Sequence, residues 1–257
     1  MASRSARPPA STPNRGSVLP AFGLIGWRWV SRNPASAVAP ILLPFVFLYF
    51  LRLIAPPEYF PLEIVGAMLF TTQNIGSWVL GDSASWRIET RMQDVFVASP
   101  LTKSRYLIGI ALSNLIPAAP ALLVLGALLA YVVAVPLLGW AVLVGAILVL
   151  WILFSAIGVA VSSRVRSQRE IWPVGNLTFT VLGMLSPLYY PLTILPPAWQ
   201  AVARFLPTTY AALLVQGTLH LPGAVPSDPW LDGALLLLLA AAGTAVALRM
   251  YRWREGD

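Results

Sequence analysis

Residues 81–109 read GDSASWRIETRMQDVFVASPLTKSRYLIG. The segment carries Asp82, Arg87, Glu89, Arg91, Asp94, Lys103 and Arg105, in a chain of which only 11% of residues are charged. Long apolar runs flank it. A charge at the centre of a bilayer costs about 2.5–3.5 kcal/mol on insertion scales, so this stretch does not face lipid. It reads as a water-side loop between two membrane spans, and its position sets the threading of the whole chain.

The chain has 257 residues, 58% of them hydrophobic, and a mean hydropathy of +0.74. Soluble domains carry roughly a quarter charged residues, so the natural solvent of this chain is a bilayer. A spanning helix needs about 20 mostly apolar residues, which leaves room for about six spans. The sequence contains no cysteine and one histidine, His220. Disulfides, thiolate chemistry and Cys-ligated zinc are therefore out, and a lone His with no acidic cluster beside it makes no usual metal site. His220 reads as a solvated loop residue.

Residues 1–17 are rich in Ser, Pro and Arg without an apolar centre, which reads as a disordered tail and not a secretory signal. Residues 18–257 read as one transmembrane domain. Residues 18–32 mix Trp, Arg and apolar residues, as suits a helix in the headgroup plane, and Asn33-Pro34 separates that helix from the first span. Spans are expected at about 35–54, 60–80, 106–133, 140–161, 171–186 and 230–250. Pro40 and Pro44 should kink the first, and Asn114, Pro117 and Pro120 should interrupt the third. Glu63 should snorkel from the outer end of the second, whose middle carries a polar belt of Thr71, Thr72, Gln73, Asn74 and Ser77. That belt suits interhelical hydrogen bonds or a wet pathway. Gly145 and Gly158 are expected at close-packing positions in the fourth span. Residues 187–216 contain five prolines with aromatic residues between them and no unbroken 20-residue run. They read as two short helices dipping into the outer surface, because irregular backbone at membrane depth survives only where it is buried or lines a cavity.

With the N-terminus in the cytoplasm, six spans place fifteen of the seventeen Lys and Arg on the cytoplasmic side, leaving only Arg52 and Arg204 outside. This is the positive-inside pattern, with both termini and the 81–105 loop cytoplasmic. It accounts for the net charge of +7 through topology and anionic lipid, without nucleic acid. Within the loop, residues 83–97 are expected as one amphipathic helix, capped by Asp82 or Ser83 and stopped by Ser99-Pro100. Trp86, Thr90 and Asp94 fall on one stripe and Ile88, Met92, Val95 and Phe96 on another. Such a helix suits docking to a cytoplasmic partner; a solvated loop on lipid heads is the plainer reading.

The run Arg87, Glu89, Asp94, Val95-Phe96-Val97, Ser99-Pro100-Leu101 and Tyr106-Leu107-Ile108-Gly109 resembles the cytoplasmic coupling segment of the ABC transporter type-2 permeases, the ABC-2 exporters. A second likeness lies in Pro187-Leu188-Tyr189-Tyr190-Pro191, Leu195-Pro196-Pro197-Ala198-Trp199 and Leu206-Pro207-Thr208-Thr209-Tyr210. Arg91 stands where that family commonly has Gly, Leu206 where it has Asn, and Gln216 where it has a basic residue. The resemblance implies an all-α integral membrane protein of six transmembrane helices, with an N-terminal interfacial helix, a cytoplasmic coupling helix between spans 2 and 3, and outer re-entrant helices between spans 5 and 6. It implies a permease subunit in the plasma (inner) membrane, moving an amphipathic drug, lipid or lipid-linked glycan outward. The contact with the ATPase would be made by Trp86, Arg87, Glu89, Arg91, Asp94, Val95 and Phe96. Thr71, Thr72, Gln73, Asn74 and Ser77 would line the pathway, and Tyr189, Tyr190, Pro191, Pro207 and Tyr210 would gate its outer end. The partners implied are two copies of a P-loop ATPase carrying ATP and Mg, and a second permease copy, as homodimer or heterodimer. No catalytic or metal-binding residue is assigned to this chain.

The sequence itself has no Gly-x-x-x-x-Gly-Lys-Ser/Thr loop, and its one lysine, Lys103, has no glycines before it. ATP hydrolysis is therefore expected elsewhere. A secondary transporter would want buried ionisable groups for coupling ions, and an intramembrane enzyme would want His or paired carboxylates. The expected spans offer almost none of the first and neither of the second. A non-transporting scaffold subunit stays open, and a channel has no filter motif to support it.

Overall fold

The computed structural model describes residues 18–99 and 101–251; the expected tail at 1–17 lies outside them. Among the described residues the chain is helical, with no strand. Ten α-helices run in order: Val18–Arg32 (α1), Pro34–Ile54 (α2), Phe60–Ile88 (α3), Met92–Ala98 (α4), Lys103–Val132 (α5), Leu137–Ser162 (α6), Gln168–Leu185 (α7), Pro197–Ala203 (α8), Pro207–Thr218 (α9) and Pro229–Met250 (α10). Three of them, α5, α6 and α10, are long and apolar enough to cross a membrane. Their outward faces show Leu123, Tyr131, Leu148, Leu237 and Leu238 exposed, as lipid contact requires.

The core is built around α3, which packs on α5, α6 and α7. Leu62, Ile64, Leu69 and Ile75 of α3 are fully buried. This enclosure is why α3 tolerates its polar belt: protein, not lipid, surrounds it. Helices α3 and α6 cross almost backbone to backbone, since a Cβ on Gly158 would lie 2.2 Å from the Gly76 carbonyl oxygen. Small residues permit such crossings where lipid supplies no hydrophobic drive between helices.

Several expectations are corrected. The helix expected over 83–97 is two helices. Helix α3, which holds the stretch expected as the second span, continues to Ile88, because Ser83 and Ala84 remain buried, and the chain then breaks at Arg91, which takes a left-handed φ of 49°. The third span is not interrupted: Pro117 and Pro120 lie inside a continuous α5. Pro117 has no N–H for the Ser113 carbonyl, and α1 settles there, with the Cα of Gly26 so close that a Cβ would meet the Ser113 oxygen at 2.4 Å. Glu63 does not snorkel, being 1% exposed. Its neighbours on α3 pack inward on every side, so the carboxylate is carried in with them. Gly158 sits at a close crossing as expected, but Gly145 faces open space. His220 is exposed in its loop.

Candidate functional site

Four elements meet at the end of the bundle that carries α4. Phe22 of α1, Trp86 of α3, Phe96 of α4 and Tyr106 of α5 form one aromatic knot. Phe96 lies 5.6 Å from Phe22, 5.9 Å from Trp86 and 5.6 Å from Tyr106, ring centre to ring centre. Phe22 and Tyr106 are buried. Tilted ring pairs at this spacing contribute about 0.5–1.5 kcal/mol each beyond the area they bury. A seven-residue helix is too short to hold itself; Phe96, with Val97 and the buried Gln93, fixes α4 on the bundle.

The same end is tied by charge-assisted bonds. The Arg87 guanidinium donates to the carbonyls of Ser162 and Val165, at 2.7 and 2.5 Å, closing the C-terminus of α6 where the helix dipole favours a cation. Lys103 does the same for α10, donating to the Leu248 and Tyr251 carbonyls at 3.3 and 3.1 Å. Asn114 of α5 donates to the Asp82 carboxylate of α3 at 2.9 Å. The hydroxyls of Ser83 and Ser162 share a hydrogen bond of 2.9 Å. Between α6 and α7, the Glu170 carboxylate accepts the Arg166 backbone N–H at 3.1 Å, which ties the loop to the first turn of α7.

The seven residues assigned to the partner contact therefore divide. Glu89, Arg91, Asp94 and Val95 are exposed on the tip between α3 and α4. Trp86 and Phe96 are half-buried in the knot, and Arg87 is engaged inside the fold. The exposed four make a charged rim around an apolar point, with Val95 at 68% exposure. Glu89 is steadied by the Ser85 hydroxyl, which donates to it at 2.8 Å.

The polar belt of α3 lies in the interior of the single chain. Thr71 and Thr72 donate to the Ala67 and Met68 carbonyls of their own helix, and Asn74 to that of Phe70. Gln73 reaches across to α7, its Nε2 donating to the Phe179 carbonyl at 2.8 Å, while its Oε1 has no partner among the described residues. Ser77 is buried beside Gly175 of α7. At the opposite end of the bundle, the 187–216 segment rests on α3: a Cβ on Gly66 would lie 2.1 Å from the Leu188 carbonyl oxygen. Tyr189 stacks between Phe47 of α2 and Phe70 of α3, at 4.7 and 5.8 Å. Pro191 is buried, and Tyr190, Pro207 and Tyr210 are half-buried. The hydroxyls of Ser186 and Thr208 bond to each other, which closes the segment on itself.

Sequence reasoning missed Phe22 and Tyr106 as members of the knot, and Asp82–Asn114 as a bridge. Gly109, one turn after Tyr106, was the available signal, because a Cβ there would lie 2.4 Å from the Phe22 ring. Among the described residues no group of His, Cys, Asp or Glu is placed to hold a metal ion. A family model described as ABC-2 type transporter matches residues 24–219, about three-quarters of the chain. No curated protein matches it.

Proposed function

From the chain's membership of the ABC-2 type transporter family, shown by the match over residues 24–219, and hence its place as a membrane permease subunit, we propose that it is the transmembrane half of an exporter driven by a separate P-loop ATPase. Helices α2, α3, α5, α6, α7 and α10 are its six spans, α1 lies at the interface, and both termini and α4 are cytoplasmic in the plasma (inner) membrane. Two permease copies, identical or related, face each other, and two ATPase copies carrying ATP and Mg dock below. The substrate is amphipathic.

One observation carries this reading. The tip formed by Glu89, Arg91, Asp94 and Val95 is exposed, while Phe96 behind it is locked to α1, α3 and α5. A partner that pushes on the tip pushes on three helices at once. The displacement separates α3 from α7, which opens the belt from Thr71 to Ser77, and Tyr189, Tyr190, Pro191, Pro207 and Tyr210 gate the outer end.

The test is co-purification from native membranes in mild detergent, with ATPase activity assayed. Glu89→Lys and Asp94→Lys should each lower the ATPase recovered by about tenfold, as reversing a charge in a contact costs on the order of 1.4 kcal/mol or more, with membrane insertion unchanged. Full recovery in both variants removes α4 as the contact. The burial of Glu63 favours one competing reading, an ion-coupled carrier. That reading requires no ATPase, and absence of an ATPase from the wild-type preparation would select it.

A further inference from the structure

A cavity of about 1020 Å³ opens between α1, α2, α3, α5 and α7, in the half of the bundle that carries α4. Its volume matches that of sites for drug-sized molecules, which are mostly apolar with a few convergent polar groups. Its outer wall is apolar, with Leu42, Leu43 and Val46 of α2 lining it while also exposed on the molecular surface. On the proposed topology that side faces the inner leaflet. Its floor carries two carboxylates, Asp82 and Glu89, and the described residues lining it include no Lys or Arg.

Asp82 is exposed to this space. Its hydrogen bond comes from the Asn114 amide, a neutral donor that orients a carboxylate without cancelling its charge. Trp78 and Trp86 stand on the same helix at four-residue spacings on either side of it, and Trp172 of α7 also lines the cavity. Indole faces attract cations, by about 0.5–2 kcal/mol each. A largely apolar chamber, open at one side, with carboxylates on its floor and indoles in its lining disfavours anions and has no charged partner for a phosphate or carboxylate.

We propose that this cavity is the loading site of the permease and that it takes hydrophobic cations, with Asp82 pairing the positive head and the apolar wall holding the body. The inference rests on the exporter reading and narrows its substrate class. It also assigns the loading site to the interior of one chain, entered past α2 from the inner leaflet.

The experiment uses the whole chain in lipid nanodiscs and two probes of nearly the same shape and opposite charge, tetraphenylphosphonium and tetraphenylborate. Binding is read by equilibrium dialysis against empty nanodiscs, so that partition into lipid is subtracted. The expected result is saturable, one-to-one binding of the phosphonium and none of the borate. Asp82→Asn keeps an oxygen for Asn114 and should weaken phosphonium binding about tenfold or more, the loss of one Coulomb pairing away from bulk water. Equal binding of both probes overturns the proposal, as does phosphonium uptake no greater than in empty discs, or an unchanged affinity in Asp82→Asn. The wild-type measurement stands without the variant should the variant fail to fold. ATPase co-purification from the same membranes separates the two readings. ATPase recovered without phosphonium binding overturns the cation site and leaves the exporter; phosphonium binding without an ATPase supports the site and removes the ATP-driven role.

Discussion

Arg91 is the residue at which the chain turns between α3 and α4. It adopts φ 49°, a region that costs a residue with a side chain roughly 1–2 kcal/mol. Glycine takes this backbone without that cost, having no Cβ. Arg91→Gly should relieve that cost but lose about 0.5–1 kcal/mol to the greater freedom of glycine in the unfolded chain. The expected net is a stabilisation of up to about 1.5 kcal/mol, read as a raised unfolding midpoint in detergent. A lowered midpoint would show that the Arg91 side chain makes a contact worth more than the strain. Arg87, two helical turns' worth of sequence away from Asp94, shows the opposite case. Its charge looked like part of an outward face, yet it is spent on the carbonyls of Ser162 and Val165. Charge alone did not reveal this, because a helix end that needs a cation leaves no mark at the distant position that supplies one.

At the scale of elements, α3 and α6 cross almost backbone to backbone, and α4 rests on the bundle through Phe96. Gly158→Val would put side-chain atoms where the Gly76 carbonyl lies, at 2.2 Å from the Cβ position. Overpacking of this kind costs typically 1–3 kcal/mol; we expect a matching fall in the unfolding midpoint and a loss of transport. The same substitution at Gly145, which faces open space, serves as the control and should change neither. A Gly158→Val protein as stable as wild type would mean that the two helices separate easily. The element boundaries of α1, α2 and α10 were legible in sequence to within a residue or so, since Asn33-Pro34 and the polar flanks of the last span are local signals. The break at Arg91 was not, because the periodicity of residues 83–97 continues through it.

At the scale of the molecule, orientation has the cleanest test, because the chain has no cysteine of its own. Asp94→Cys and His220→Cys each introduce a single thiol at an exposed position. In intact cells a membrane-impermeant maleimide should label His220→Cys, and should label Asp94→Cys only after the membrane is opened. The reverse pattern would invert the topology and move α4 away from any cytoplasmic ATPase.

Hydropathy, the placement of Lys and Arg, and the proline breaks determined that this chain is a helical membrane protein, and the residues 81–109 run together with the 187–216 run pointed to its family. These are properties of short stretches, each set by the chain's own contact with lipid or water. Only the tertiary structure decided which charges face outward and which close helix ends, that Glu63 is buried, that α4 is held by a ring from each of three other helices, and that five helices leave a chamber floored by Asp82. Each of those depends on residues far apart in sequence arriving at one place, and the energy that settles them belongs to the assembled bundle.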